Sequence, residues 1–384
     1  MIPSRLALVS FALVVGCSSD PGTEMGQDDA ASLDDSATAI DGAIDAAHSD
    51  AGDGGGTTLS PRWVGRFTPV SGAKRAAWSG AFVEARFVGT KITLRLEDSG
   101  AHRFAITLAG TESRITPTAN VDAYVLGDNL APGEHVVRVL KDTEASVGQT
   151  DMIGLELDTG GQFLPIAVPS RRIEVIGDSI SCGYGDLGLG PNCNFSADTE
   201  SFRESYGSVL GKKFGADVMG ICWSGIGVYR NYGGSTVDVM PTRYPRTLPS
   251  STTSTWNFSS VVPDVVLWNL GTNDFTGSSP PEQPFESAYE AFLATIRKHY
   301  PNAFILSILG GPMLTGTNSQ NERTWVKNVI AKLTTAGDTE IDSVELPPQT
   351  GSHGGIGCDY HPSVGEHAFM ATTIAPKLSA ALGW

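Results

Sequence analysis

At 384 residues the chain exceeds one ordinary domain, and 40% hydrophobic content with 45 Gly and 22 Pro suits loop-rich globular domains containing strands. That composition excludes a coiled coil or a collagen. The formal net charge of −16 is concentrated at one end: without residues 18–57 and Arg5, 32 acidic face 25 basic residues, a mildly acidic body with no footprint for nucleic acid.

At the N-terminus, Arg5 precedes an apolar run over residues 6–15, too short to span a bilayer and suited to the core of a secretion signal. The run ends Leu13-Val14-Val15-Gly16-Cys17, which resembles the lipobox of bacterial lipoproteins and implies cleavage before Cys17, lipidation of its thiol and anchoring to a membrane. A plain secretion signal with an incidental Cys17 is the alternative. Ser18, rather than Asp, follows the cysteine, which favours the outer membrane. Residues 18–57 carry ten acidic side chains and no Lys, Arg or aromatic residue. Such a segment buries too little apolar surface to offset its chain entropy and is expected to be a disordered tether.

From 58 to 170 the hydrophobic period is two. Residues 82–88, 91–97, 103–109, 135–140 and 152–157 read as half-buried strands, with Gly89-Thr90 as a hairpin connection between the first two. Six or more short strands predict an antiparallel β-sandwich of the jelly-roll kind. From 171 to 384 strands alternate with helices: strands at 172–177, 216–221, 264–270, 303–309 and 340–346, and helices at 205–214, 285–299 and 321–335. Ser363-Val364-Gly365-Glu366 opens a final helix as a capping box. The alternation predicts an α/β/α doubly wound parallel sheet.

Ligands of such sheets bind beyond the carboxyl ends of the strands, so the strand tips are where chemistry is expected. The first tip is Gly177-Asp178-Ser179-Ile180, with Ser179 placed above the sheet as a candidate nucleophile. Ser181 stands where the α/β-hydrolase elbow has its second glycine, so that motif is not matched. The second tip, Trp223-Ser224-Gly225-Ile226-Gly227, offers the Gly225 N–H to a developing oxyanion. The third, Gly271-Thr272-Asn273-Asp274, offers the Asn273 amide, with Asp274 bracing the loop. Of seven histidines, His361 sits in a loop just before the capping box and is the candidate base; His367 falls inside the helix and His353 in a Gly-rich stretch.

Taken together and in order, these blocks resemble the SGNH hydrolases. The N-terminal sandwich, Gly177 to Gly185, Trp223 to Gly233 and Asn269 to Phe275 narrow the resemblance to carbohydrate esterase family 2, over residues 60–384. The resemblance implies a flavodoxin-like fold and removal of acetyl groups from plant cell-wall polysaccharides such as xylan and glucomannan. No metal or organic cofactor is implied, and a monomer is expected. Carried onto this chain, it makes Ser179 the nucleophile and His361 its base, with Ser179, Gly225 and Asn273 as the oxyanion hole. Tyr360, Phe275 and Trp223 are the substrate-binding candidates. Many SGNH enzymes place an aspartate three residues before the histidine, where this chain has Cys358. Either Asp359 reaches the imidazole as a third member, or a backbone carbonyl holds the ring and leaves a Ser–His dyad. A lipase or thioesterase on the same fold, or a glycan-binding surface lipoprotein, are the alternatives.

Four cysteines besides Cys17 permit two disulfides in an exported protein. Cys182 and Cys193 flank a short Gly-rich loop and are the expected pair, leaving Cys222 and Cys358 bonded to each other or free. The spacings lack the Cys-x-x-Cys unit of a zinc site.

Overall fold

The computed structural model describes residues 56–384 apart from residue 100. The leader, Cys17 and all but the last residues of the acidic tether lie outside the described residues. Thr57–Thr58 already pairs with Ile166–Ala167, so ordered structure includes the final residue assigned to the tether.

Two antiparallel sheets form the N-terminal half. One orders Gln162–Leu164, Phe82–Val88, Glu134–Lys141, Phe104–Leu108 and Thr111–Ile115, with Arg62–Val64 also on Phe82–Val88. The other orders Phe67–Val70, Ala73–Ala76, Thr150–Leu157, Ile92–Glu97 and Ala123–Gly127. Gly89-Thr90 is therefore not a hairpin, because the strands on either side of it lie in opposite sheets. The reason is burial: Val83, Ala85 and Phe87 face Ile92, Leu94 and Leu96 across one shared core. The connection is pinned instead by Asp158, whose carboxylate accepts from the Thr90 hydroxyl at 2.7 Å and from the Thr90 and Lys91 N–H groups.

The C-terminal half is a five-stranded parallel sheet whose spatial order is second, first, third, fourth, fifth in the chain: Ala216–Cys222, Arg171–Gly177, Val265–Asn269, Phe304–Leu309 and Ile341–Glu345. Both faces are covered, which is why the central strands Val265–Asn269 and Phe304–Leu309 read as near-continuous apolar runs. Helices Glu282–His299 and Gly316–Thr335 pack on one face, burying Phe285, Tyr289, Phe292, Val326 and Val329. Helices Tyr206–Phe214 and Val364–Leu382 cover the other with Tyr206, Leu210, Met370, Ile374 and Leu378. Ser363 caps the last helix by accepting from the Glu366 N–H at 3.3 Å.

Sandwich and parallel sheet belong to one compact unit. Arg62, 7% exposed, joins them: its guanidinium donates to Asp217 at 2.7 and 3.0 Å and to Glu84 at 2.7 Å. Glu84 is only 7% exposed, its carboxylate held between the guanidiniums of Arg62 at 2.7 Å and Arg138 at 2.8 Å.

Candidate active site

The first strand ends at Gly177, and the chain turns straight into a short helix, Ser179–Cys182. Asp178 caps that helix by accepting the Ile180 N–H at 3.0 Å. Ser179 thus begins a helix with its own N–H outside any protein hydrogen bond among the described residues. The hydroxyl meets His361: Nε2 lies 2.8 Å from Oγ, across 182 residues of sequence.

The other imidazole nitrogen, Nδ1, lies 3.1 Å from the backbone oxygen of Asp359. A carbonyl only accepts, so Nδ1 carries the hydrogen and the Nε2 lone pair faces the serine hydroxyl. The Asp359 carboxylate is turned away. It accepts the Tyr184 hydroxyl at 2.7 Å and the Phe195 N–H at 2.9 Å. A third-member role for the Asp359 side chain is thereby corrected. Asp359 and Tyr360 both adopt left-handed backbone, φ 50° and 63°, and this double turn is what brings a main-chain oxygen, rather than a carboxylate, onto the ring.

Aromatic packing fixes the imidazole further. Tyr184 stacks on His361 at 4.1 Å and on Phe195 at 4.6 Å. Burial, then the Asp359 carboxylate, hold the Tyr184 hydroxyl above its usual range, so it remains a donor. Burial also pushes the His361 imidazole down to about 4. His361 and Ser179 keep 9% and 6% exposure, which leaves the pair reachable from solvent.

The second tip supplies Gly225 with φ 78°, and its N–H meets no acceptor among the described residues. Gly227 has to lack a side chain, because a Cβ there would collide with the Arg230 carbonyl and Asp274. Asp274 braces this loop as expected: its carboxylate accepts from Val228 at 2.9 Å and from Tyr229 and Arg230 at 2.8 Å each. Asn273 is 8% exposed, and its amide donates to the Ile226 carbonyl at 2.8 Å and more weakly to Asp178 at 3.3 Å.

The binding candidates separate. Tyr360 is 59% exposed beside the base. Trp223 is half-buried with the Arg243 guanidinium 3.9 Å over its ring, so one face is covered. Phe275 is corrected: it is fully buried, edge-on to Phe285 at 4.8 Å, and belongs to the core. His367 is fully buried, with the Tyr206 N–H 3.3 Å from its Nδ1, and His353 pairs with Glu366 at 3.0 Å.

The cysteine pairing is also corrected. The bonds are Cys182–Cys222 and Cys193–Cys358. Gly177 lies opposite Cys222 in the parallel register, so the helix after Gly177 carries Cys182 over the neighbouring strand tip rather than toward Cys193. Cys193 instead meets the base loop, where the Asp359 N–H donates to the Cys193 carbonyl at 2.9 Å. Glu144, Cys182 and Glu200 come together as metal-donor types, but the Cys182 sulfur is spent in its disulfide and offers no thiolate.

Comparison with known proteins places this geometry. The model of the carbohydrate esterase 2 N-terminal region matches residues 63–166, and that of the GDSL-like lipase/acylhydrolase family matches 175–364. An acetylxylan esterase / glucomannan deacetylase of Cellvibrio japonicus is 32% identical over 259 residues, 66% of this chain and 68% of that protein. The chain belongs to carbohydrate esterase family 2. The family-two structure from Clostridium thermocellum, in complex with cellohexaose, matches with TM-score 0.80 and 35% identity, covering 84% of this chain and 99% of that one. The cellulase/esterase CelE of Acetivibrio thermocellus is 36% identical over 83% of this chain, which spans 39% of that longer protein. The family's fold, an antiparallel sandwich joined to a parallel SGNH-type sheet, is the one described above.

Proposed function

We propose that the chain is an exported serine esterase that removes O-acetyl groups from plant cell-wall polysaccharides such as xylan and glucomannan. The 2.8 Å contact between His361 Nε2 and Ser179 Oγ carries this reading. Ser179 attacks the acetyl carbonyl carbon while His361 takes the hydroxyl proton. Negative charge on the carbonyl oxygen falls to the Ser179 and Gly225 N–H groups and to the Asn273 amide, whose 3.3 Å contact to Asp178 is the one that yields. His361 returns the proton to the departing sugar oxygen, and water then releases acetate from Ser179 by the same steps. No side-chain carboxylate is needed to orient the base. The substrate class rests on the relatives named acetylxylan esterase / glucomannan deacetylase and on the cellohexaose complex of the family-two structure.

Purified residues 58–384 are expected to release acetate from acetylated xylan or acetylated glucomannan, and 4-nitrophenol from its acetate ester. Turnover of long-chain esters with no acetate from either polysaccharide would replace this reading with the lipase one.

Only neutral imidazole accepts a proton. With its value held at about 4 by burial, His361 stays a base down to mildly acid pH and is lost as pH falls through that value. The acid limb of kcat/KM is therefore expected near pH 4–5 rather than near 6.5. A limb at 6–7 would mean that the imidazole is solvated in the free enzyme.

The run over residues 6–15 and the ending at Cys17 support lipidation and an outer-membrane or cell-surface location. Mass spectrometry of the mature N-terminus is expected to show a diacylglyceryl adduct on Cys17; a free thiol there would refute the anchor.

A further inference from the structure

We propose that Glu144, a sandwich residue, is a positioning residue for the oxyanion-binding loop of the catalytic half; this rests on the esterase reading above. Glu144 follows strand Glu134–Lys141 and precedes the short turn Ala145–Val147. Its side chain does not face its own sheet. It reaches into the parallel-sheet half, where it is 1% exposed and accepts the Ser224 N–H at 2.6 Å.

Ser224 immediately precedes Gly225, whose unpaired N–H is the candidate oxyanion donor. A bond to the Ser224 N–H fixes the 223–224 peptide, which immediately precedes the peptide that carries the Gly225 N–H. The far end of the same loop is held by Asp274 through three N–H groups. The loop thus has two carboxylate clamps, one at residue 224 and one at residues 228–230, with the free Gly225 N–H between them. Asp274 follows strand Val265–Asn269 of the same sheet, across the first strand from the loop. Glu144 comes from the other half of the molecule.

The clamp is itself held firmly. The Glu144 N–H donates to the Glu200 carboxylate at 3.0 Å, and its carbonyl accepts from Lys141 Nζ at 3.2 Å. Glu144 Oε2 lies 3.8 Å from Cys182 Sγ, in the helix that begins with Ser179. Adjacent sandwich residues press on the same place, since the Gly220 N–H donates to the Ser79 carbonyl at 3.2 Å and the Phe202 N–H to the Asp142 carbonyl at 2.9 Å. Two buried partners and a fixed backbone make Glu144 rigid, as a group that aims a donor for a charge developing only in the transition state must be. On this reading the sandwich contributes to rate, whether or not it binds sugar.

The test uses the full-length chain. Glu144→Leu removes the acceptor at similar volume and is expected to lower kcat roughly 10–100-fold, with KM within about threefold, since a misaimed donor costs less than a deleted one. Affinity for a methylboronate-type tetrahedral analogue should fall in parallel with kcat/KM. Glu144→Gln keeps an acceptor oxygen and should recover kcat to within about threefold. Glu144→Asp, which retracts the carboxylate by one methylene, should lose kcat roughly tenfold while remaining folded, and serves if the leucine variant does not fold. Arg62→Met, which cuts a different contact between the halves, should lower Tm and leave kcat unchanged. Wild-type kcat in the Leu or Asp variant, or a loss confined to Tm as in Arg62→Met, would overturn the inference. A wild-type chain that hydrolyses no ester would instead sink the esterase reading.

Discussion

His361→Ala and Ser179→Ala are each expected to lower kcat by roughly 10⁴–10⁶-fold, whereas Asp359→Asn costs less than about tenfold. The contrast follows from which atom of residue 359 touches the ring. In a Ser–His–Asp arrangement, replacing the carboxylate by an amide leaves the wrong tautomer and costs about 10⁴. Here the tautomer is set by a main-chain oxygen 3.1 Å from Nδ1, which no substitution of the side chain removes. The carboxylate acts one step away, holding Tyr184 and Phe195 at 2.7 and 2.9 Å. An asparagine oxygen can still accept from Tyr184, so the stack on the imidazole persists. Steady-state hydrolysis of 4-nitrophenyl acetate, with acetate release from acetylated xylan as a second readout, separates four decades from one. A loss in Asp359→Asn equal to that in His361→Ala would show that the carboxylate swings onto the ring during turnover.

Much of this architecture was legible because burial leaves a period in the sequence. Strands Val265–Asn269 and Phe304–Leu309 read as apolar runs, and the sandwich strands alternated. Gly89-Thr90 was misread because a hairpin signal is local, whereas the sheet that a strand joins depends on which neighbour its buried face meets; Phe87 and Ile92 meet across the core instead of side by side. The positions of Ser179, Gly225 and Asn273 just beyond three strand ends were legible because strand tips in such a sheet converge at one end. Phe275 followed the same motif, but its side chain turns inward into the aromatic cluster with Phe285 and Trp325. The orientation of Asp359 could not be read, since two consecutive non-glycine residues at positive φ have no composition signal. Glu144 left none either: it is one acid in an irregular stretch, and its meaning comes from a contact 80 residues away. The disulfides failed for the same reason, chain distance having stood in for the adjacency of strand tips.

Breaking Cys193–Cys358 is expected to remove activity well beyond its effect on stability. This bond closes 165 residues and ties the base loop to the segment that carries Tyr184 and Phe195. Its loss should cost about 2–5 kcal/mol, lowering Tm by roughly 5–15 °C. The larger consequence is local. Residues 359 and 360 hold a conformation that each would leave at a gain of order 1–3 kcal/mol. The restraints on it include the disulfide at Cys358, the Asp359 N–H bond to Cys193 at 2.9 Å and the Cys358 N–H bond to Gly185 at 2.9 Å. Without the covalent tie the double turn relaxes, the Asp359 carbonyl leaves Nδ1, and the ring no longer presents its lone pair to Ser179. A Cys193→Ser/Cys358→Ser variant is therefore expected to lose kcat about 10²-fold at a temperature where circular dichroism shows it folded. Cys193 is half-buried while both partners of Cys182–Cys222 are fully buried, so a reductant reaches the base-loop bond first. Activity under dithiothreitol should accordingly fall with the appearance of the first two thiols per chain. Full kcat in the folded double-serine variant would mean that packing of Tyr184 alone holds the imidazole in place.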